Sequence, residues 1–264
     1  MIEKKDLGLV LAIVFASAAV SGSLVFFGMR MSGGGGDVSV DKIEQAFNNF
    51  AQKQTAQQQQ QAQQQEAQGQ QLAEEMAKNV KPVDKAKDHL RGNPNADITM
   101  ITYSDYECPF CKKFHPTALK VVDTYGDKMN WVYRHYPLGF HDPMATTEAM
   151  ASECAAELGG NDKFWSYSDM IYDKTTSNGD GLTMDQLYAF AKDLGINQAS
   201  FKDCILSQKY LSKVQNDISE GEKAGVDGTP GNIIINNKTG KIKVVSGAQP
   251  FAKFQTAIDE LLKS

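Results

Sequence analysis

The sequence predicts an α/β domain whose single sheet is interrupted by a block of helices, carried behind an apolar segment and a glutamine-rich stalk. Three observations point there. Residues 98–103 and 130–135 have the apolar, β-branched and aromatic texture of strands, and a helical stretch beginning near Cys108 lies between them, making a strand-helix-strand unit. Helical patterning then runs through five segments, 143–158, 162–173, 183–194, 198–206 and 209–224. Finally, residues 232–236 and 241–245 face each other across Asn237-Lys-Thr-Gly240 as a hairpin, and an amphipathic helix over 250–262 closes the chain. The helices read as an insertion over about 140–225, between two halves of one sheet.

From the amino terminus, residues 1–6 carry Lys4 and Lys5 against Glu3 and Asp6. Residues 7–29 hold no charged side chain, and as a helix rising about 1.5 Å per residue they match a bilayer's ~30 Å hydrocarbon core. They are expected to form a single-pass signal-anchor, with residues 1–6 cytoplasmic and the remainder outside. The alternative is a cleaved signal peptide: Ala16-Ser17-Ala18 favours it, and the length of the apolar stretch opposes it. After Gly33-Gly-Gly-Gly36, Val40, Ile43, Phe47 and Phe50 form a heptad-like seam that calls for a partner. A Gln-dominated tract over 52–71 follows, then Leu72, Met76 and Val80 at helical spacing until Pro82 stops the pattern. Residues 30–82 are therefore a stalk: either a coiled coil joining copies of the chain through its apolar ends, or a disordered spacer. Folded-domain composition begins at Val83 and runs to Ser264.

The charge balance narrows the partners. Lys plus Arg number 27 against 32 Asp plus Glu, a net charge of -5, which leaves no broad basic surface for nucleic acid. Of the four cysteines, two form Cys108-Pro109-Phe110-Cys111 at the start of a helix that directly follows a strand. Backbone N–H groups and the helix dipole at that end favour the thiolate of Cys108. Pro109 suits the first helical turn, and Cys111 lies three residues on, within disulfide reach. A zinc site would need two more ligands, and His115 is the only nearby one, so no metal is predicted.

The segment Ser104-Asp-Tyr-Glu-Cys-Pro-Phe-Cys-Lys-Lys-Phe-His-Pro116, followed by Tyr133-Arg-His-Tyr-Pro-Leu138, His141, Cys154-Ala-Ala, Lys163-Phe-Trp165 and Gly228-Thr-Pro-Gly231, resembles the extracytoplasmic DsbA-type thiol:disulfide oxidoreductases. The resemblance covers roughly residues 81–264 and implies a thioredoxin fold with an inserted α-helical domain. It also implies that Cys108 is the nucleophile, that Cys111 is the resolving thiol, and that Pro230 is a cis-proline with Thr229 before it. In this family the backbone before that proline pairs with the substrate chain, so Thr229 and Pro230, with Pro109 and Phe110, are expected to contact it. Relatives often carry a glutamate six residues before the nucleophile, able to exchange a proton with the resolving thiol. This chain has Thr102 there, and Glu107 and Asp105 are the candidates to replace it, unless they are solvated surface charges.

Cys154 and Cys204 fall on different helices of the insertion, and an oxidising compartment favours a structural disulfide between them over two separate buried thiols. His135 and His141 are expected to be structural. Phe110, Phe114, Tyr106 and Phe140 would line an apolar groove or belong to the core. The resemblance implies a membrane-anchored exchange of the Cys108-Cys111 disulfide with reduced or unfolded secreted proteins, the anchor in a bacterial inner membrane and the catalytic domain on the periplasmic side. No cofactor beyond that disulfide is implied. By the resemblance, a membrane redox partner recharges it. Two alternatives stand: an oligomeric isomerase or reductase, since direction depends on redox potential, and a client-binding chaperone or scaffold with secondary redox activity.

Overall fold

A computed structural model describes residues 40–263. Residues 1–6 and the expected membrane anchor at 7–29 lie outside the described residues. Among the described residues, no helix is long and apolar enough to cross a membrane.

The chain divides into two compact units, 1–64 and 65–264. The described part of the first is helical: α1 spans Val40–Met76 without interruption, as the Gln- and Ala-rich composition favours. Within it Phe47 and Phe50 stand about half exposed, at 52% and 45%. Over these residues the chain is helical.

The second unit takes in the last turns of α1. A short 3-10 turn, Ala77–Asn79, follows, and Ala77 and Val80 are buried. Five strands then make one sheet: β1 (His89–Gly92), β2 (Ile98–Ser104), β3 (Met129–His135), β4 (Gly231–Asn236) and β5 (Ile242–Ser246), in the order β1-β3-β2-β4-β5. β2 and β3 are parallel, joined by α2 (Pro109–Tyr125), and the other pairings are antiparallel. Every residue of β2 and β3 is buried, the polar Thr102, Asn130, Arg134 and His135 included.

Strand alternation sorts these side chains onto two faces. Ile98, Met100, Trp131 and Tyr133 join the main core with Phe114 of α2 and with Phe254 and Ile258 of the closing helix α8 (Phe251–Leu262). Ile101, Tyr103, Val132 and Ile233 face a smaller cluster with Ala77, Ala224 and Val226. The insertion comprises α3 (Met144–Gly159), α4 (Asn161–Lys174), α5 (Met184–Asp193), α6 (Gln198–Leu206) and α7 (Leu211–Lys223). Cys154 of α3 and Cys204 of α6 are bonded to each other across a separation of 50 residues.

Two features of this frame position the site. β2 ends at Ser104 and α2 starts at Pro109, so residues 105–108 form the turn over the end of the parallel pair. Tyr103 is in register with Gly231, which sets residues 229 and 230 beside that same strand end.

Candidate active site

Cys108 is the N-cap of α2, with extended backbone (φ −80°, ψ 120°), and Pro109 occupies the first turn. The Cys108 N–H donates to the Asp105 carbonyl at 3.2 Å, and its carbonyl accepts from the Lys112 N–H at 3.0 Å, the first helical bond. Both sulfurs carry free thiols and both residues are buried, at 3% and 1% exposure. The Cys108 thiol donates to the Thr229 carbonyl at 3.5 Å, and the Thr229-Pro230 peptide is cis. Residues distant in sequence, 108 and 229, are thus neighbours because β2 and β4 are.

The two thiols are driven in opposite directions. Hydrogen bonding from Cys111, opposed by burial and assisted by Thr229 and by the N–H groups of Cys111 and Phe110, brings Cys108 down from an ordinary 9.0 to about 6. Burial, reinforced by the neighbouring Cys108 sulfur, pushes Cys111 well above that ordinary value. At neutral pH one sulfur is a thiolate ready to react and the other a protonated thiol.

The aromatic residues divide. Phe110 and Phe140 are exposed, at 61% and 77%, while Tyr106 and Phe114 are core, Phe114 stacking on Phe254 at 5.1 Å. A groove of all four is therefore not formed. His115 is turned inward: its Nε2 meets Asp169 Oδ1 at 2.8 Å and its ring stacks on Tyr172 at 4.5 Å. Among the described residues, no cluster of three metal-ligating side chains occurs.

Neither acidic candidate is a solvated surface charge. Asp105 is buried, its carboxylate accepting from the N–H groups of Glu107 (2.8 Å) and Leu138 (3.0 Å) and meeting His141 Nδ1 at 2.6 Å. Glu107 is buried too, cradled by the Thr175 hydroxyl (3.0 Å) and the N–H groups of Gly179 (2.6 Å) and Gly181 (2.9 Å). His135 pairs with Glu153 at 2.8 Å, and His89 meets the same oxygen at 2.9 Å. Thr102 is locked between Asn232 Oδ1, to which it donates at 2.9 Å, and Trp131 Nε1, from which it accepts at 2.9 Å.

Sequence reasoning passed over Ser104, Tyr172 and Glu148. Ser104 Oγ lies 2.8 Å from the Tyr172 hydroxyl. Glu148 is buried against Glu107. The first had a signal, its place at the end of β2 on the face beneath α2. The other two depend on where the insertion packs.

Comparison with known proteins agrees with this geometry. The family described as Thioredoxin matches residues 84–260. DsbA2 of Pseudomonas aeruginosa is 31% identical, with a TM-score of 0.60 over 70% of this chain and 98% of its own. Wolbachia pipientis alpha-DsbA1 is 26% identical with a TM-score of 0.59, over 70% of this chain and 95% of its own. BcfH of Salmonella enterica Typhimurium, 15% identical with a TM-score of 0.67 over 94% of this chain and 99% of its own, shares the fold. The Na(+)/H(+) antiporter NhaA 1 of Mycolicibacterium gilvum is 31% identical over 163 residues, 61% of this chain. That alignment covers 25% of the antiporter, so the chain spans about a quarter of the length of such curated relatives. The chain belongs to the thioredoxin family, as a DsbA-like thiol:disulfide oxidoreductase.

Proposed function

We propose that this protein is held in the bacterial inner membrane by residues 7–29 and passes its Cys108-Cys111 disulfide to reduced or unfolded secreted proteins on the periplasmic side. The observation that carries the exchange chemistry is the opposed ionisation of Cys108 and Cys111 at the start of α2, beside Thr229 and Pro230. A client thiolate attacks Cys108 Sγ; the Cys108-Cys111 bond breaks and its electron pair goes to Cys111. A second client thiolate attacks the client sulfur of the mixed disulfide and expels Cys108 as a thiolate. Two electrons have then moved from client to enzyme, and a membrane redox partner removes them. A stabilised Cys108 thiolate is a good leaving group in that second step.

The exposed ring of Phe110, with Pro109, Thr229 and Pro230, forms the client contact. Exposed Phe47 and Phe50 support a homo-oligomer assembled through the stalk. The test is oxidation of a reduced, unfolded cysteine-containing client by the full chain, alongside Cys108→Ser and by fractionation of cells expressing either form. The expected result is loss of client oxidation in the variant, with both forms in the membrane fraction and the 83–264 region open to protease from outside. Oxidation by Cys108→Ser at the parent rate would overturn the enzyme reading, and release of the parent protein in soluble form would overturn the anchor.

A further inference from the structure

Glu107 lies directly before the nucleophile, is wholly buried, and takes no part in the exchange steps. Its carboxylate closes instead on a loop of the insertion. Oε1 accepts from the Thr175 hydroxyl at 3.0 Å, and Oε2 accepts from the Gly179 and Gly181 N–H groups at 2.6 Å and 2.9 Å. Three donors on two oxygens make this an anion held in a nest of backbone N–H groups.

The loop is shaped to meet that anion. Ser177 and Asn178 stand at φ 68° and 71°, and Gly179 at 93°. Two successive side-chain-bearing residues in the left-handed region persist only where the surrounding structure fixes them. The fixing contacts run through Glu107 and through Thr175, whose hydroxyl oxygen also accepts from the Ser177 N–H at 2.9 Å. Gly181 is there for space: a Cβ on it would lie 2.7 Å from Glu107 Oε1 and 2.5 Å from the Ser177 nitrogen.

What the ordered loop returns is the Asn178 N–H, which donates to the Glu107 carbonyl at 2.8 Å. That carbonyl shares one planar peptide unit with the Cys108 N–H, so a single bond orients both. The Cys108 N–H then points the other way, into the Asp105 carbonyl at 3.2 Å, while the Cys108 carbonyl is fixed by the Lys112 N–H at 3.0 Å. Both peptide planes flanking Cys108 are thereby set, and with them the direction of its sulfur, which reaches the Thr229 carbonyl at 3.5 Å.

We propose that Glu107 is a positioning residue for the exchange: its carboxylate orders the 175–181 loop, the loop holds the peptide before Cys108 through Asn178, and the Cys108 sulfur is kept at the start of α2 beside Thr229. Glu107 acts through that peptide and not as a charge. A neighbouring negative charge would by itself disfavour the thiolate, so the two roles have opposite signs.

The test is the pH profile of Cys108 alkylation in the reduced full chain, with the alkylated residue and the Cys154-Cys204 bond verified by mass and each variant shown to be folded by denaturant unfolding. The parent midpoint is expected at about 6. Glu107→Ala frees the loop and should raise the midpoint by about one unit, which at pH 5 is roughly tenfold less thiolate. Glu107→Gln keeps an oxygen for the two glycine N–H groups and can turn its amide toward the Thr175 oxygen, so its midpoint should stay at or below the parent's. Thr175→Val keeps the carboxylate and removes one of its three donors, and should raise the midpoint by about half a unit. A Glu107→Ala midpoint equal to the parent's overturns the proposal, and one below it overturns it in favour of a charge alone. An equal rise in Glu107→Ala and Glu107→Gln overturns it too. Should Glu107→Ala not fold, a Thr175→Val midpoint unchanged from the parent's does so instead. The inference rests on Cys108 being the activated thiol, and a parent midpoint near the ordinary 9.0 would overturn that reading itself.

Discussion

The ionisation of Cys108 fixes how the reduction potential must change with pH. With Cys108 at about 6 and Cys111 protonated throughout, reducing the disulfide consumes two electrons and two protons below pH 6, but two electrons and one proton above it. Since tenfold in an equilibrium corresponds to ~59 mV for one electron, the potential should fall by ~59 mV per pH unit below the break and ~30 mV above it. The sign follows from linkage. A thiol lowered from 9.0 to about 6 adds stability to the reduced fold that is complete above pH 9 and lost as pH falls through 6. At pH 7 the share realised is about 1.4 kcal/mol, which raises the potential by ~30 mV over that of an unperturbed thiol. The assay is equilibration of the full chain in glutathione buffers from pH 5 to pH 8, with oxidised and reduced forms counted by mass. A single slope of ~59 mV per unit across that range would show that Cys108 stays protonated and would refute the account of its activation.

Further outcomes follow from other parts of the fold. Replacing Cys154 and Cys204 together by Ala opens a loop of 50 residues and should lower stability by about 4 kcal/mol on the chain-entropy scale, measured by denaturant unfolding, with Cys108 alkylation unchanged in the folded protein. Arg134 is buried, bonding both oxygens of Asp88 at 3.1 Å and the Tyr103 hydroxyl at 3.0 Å; Arg134→Met strands that carboxylate and should cost about 3–5 kcal/mol in the same assay. Burial, then the adjacent Glu107, push Glu148 up to about 10, so the unfolded chain ionises it from pH 4.5 while the folded one does not, and stability drains away as pH rises between those values. Glu148→Gln removes about 3 kcal/mol of that cost at pH 7 and flattens the pH dependence of unfolding; an unchanged slope would place the effect elsewhere.

Much of this fold is written locally, and the elements that are not share one cause. β2 and β3 were legible because β-branched, apolar and aromatic residues dominate both, and the hairpin was found to within one residue at its ends. β1 was not. His89-Leu-Arg-Gly92 is short and half polar, and His89 and Arg91 tolerate their positions because Glu153 and Asp169 meet them from α3 and α4. The site divides in the same way. The Cys-Pro-Phe-Cys motif and the Thr-Pro pair carry their meaning in adjacent residues. The environment of Glu107 does not, because Gly179 and Gly181, whose N–H groups cradle it, lie more than seventy residues downstream. A lone carboxylate reads as solvated unless the tertiary structure supplying its donors is known.

That division bears on what the helical insertion contributes to the chemistry. The residue before the nucleophile is fastened to the insertion by its side chain and also by its backbone, since the Asn178 N–H donates to the Glu107 carbonyl at 2.8 Å. Lys112, one residue past the resolving thiol, reaches across to the Thr175 carbonyl. His115 on the same helix is held by Asp169, and Ser104 by Tyr172, both of α4. The start of α2 is therefore gripped from the insertion on either side of the cysteine pair, while the thioredoxin sheet supplies only the floor and the Thr229-Pro230 turn. Such a grip reduces the reorganisation needed as Cys108 passes between thiolate, mixed disulfide and disulfide, because the backbone around the cysteine pair is already held in place. On this reasoning the insertion belongs to the active site as much as the Cys-Pro-Phe-Cys motif does. Changes at Thr175, Gly179 or Gly181 should then register in Cys108 reactivity before they register in global stability.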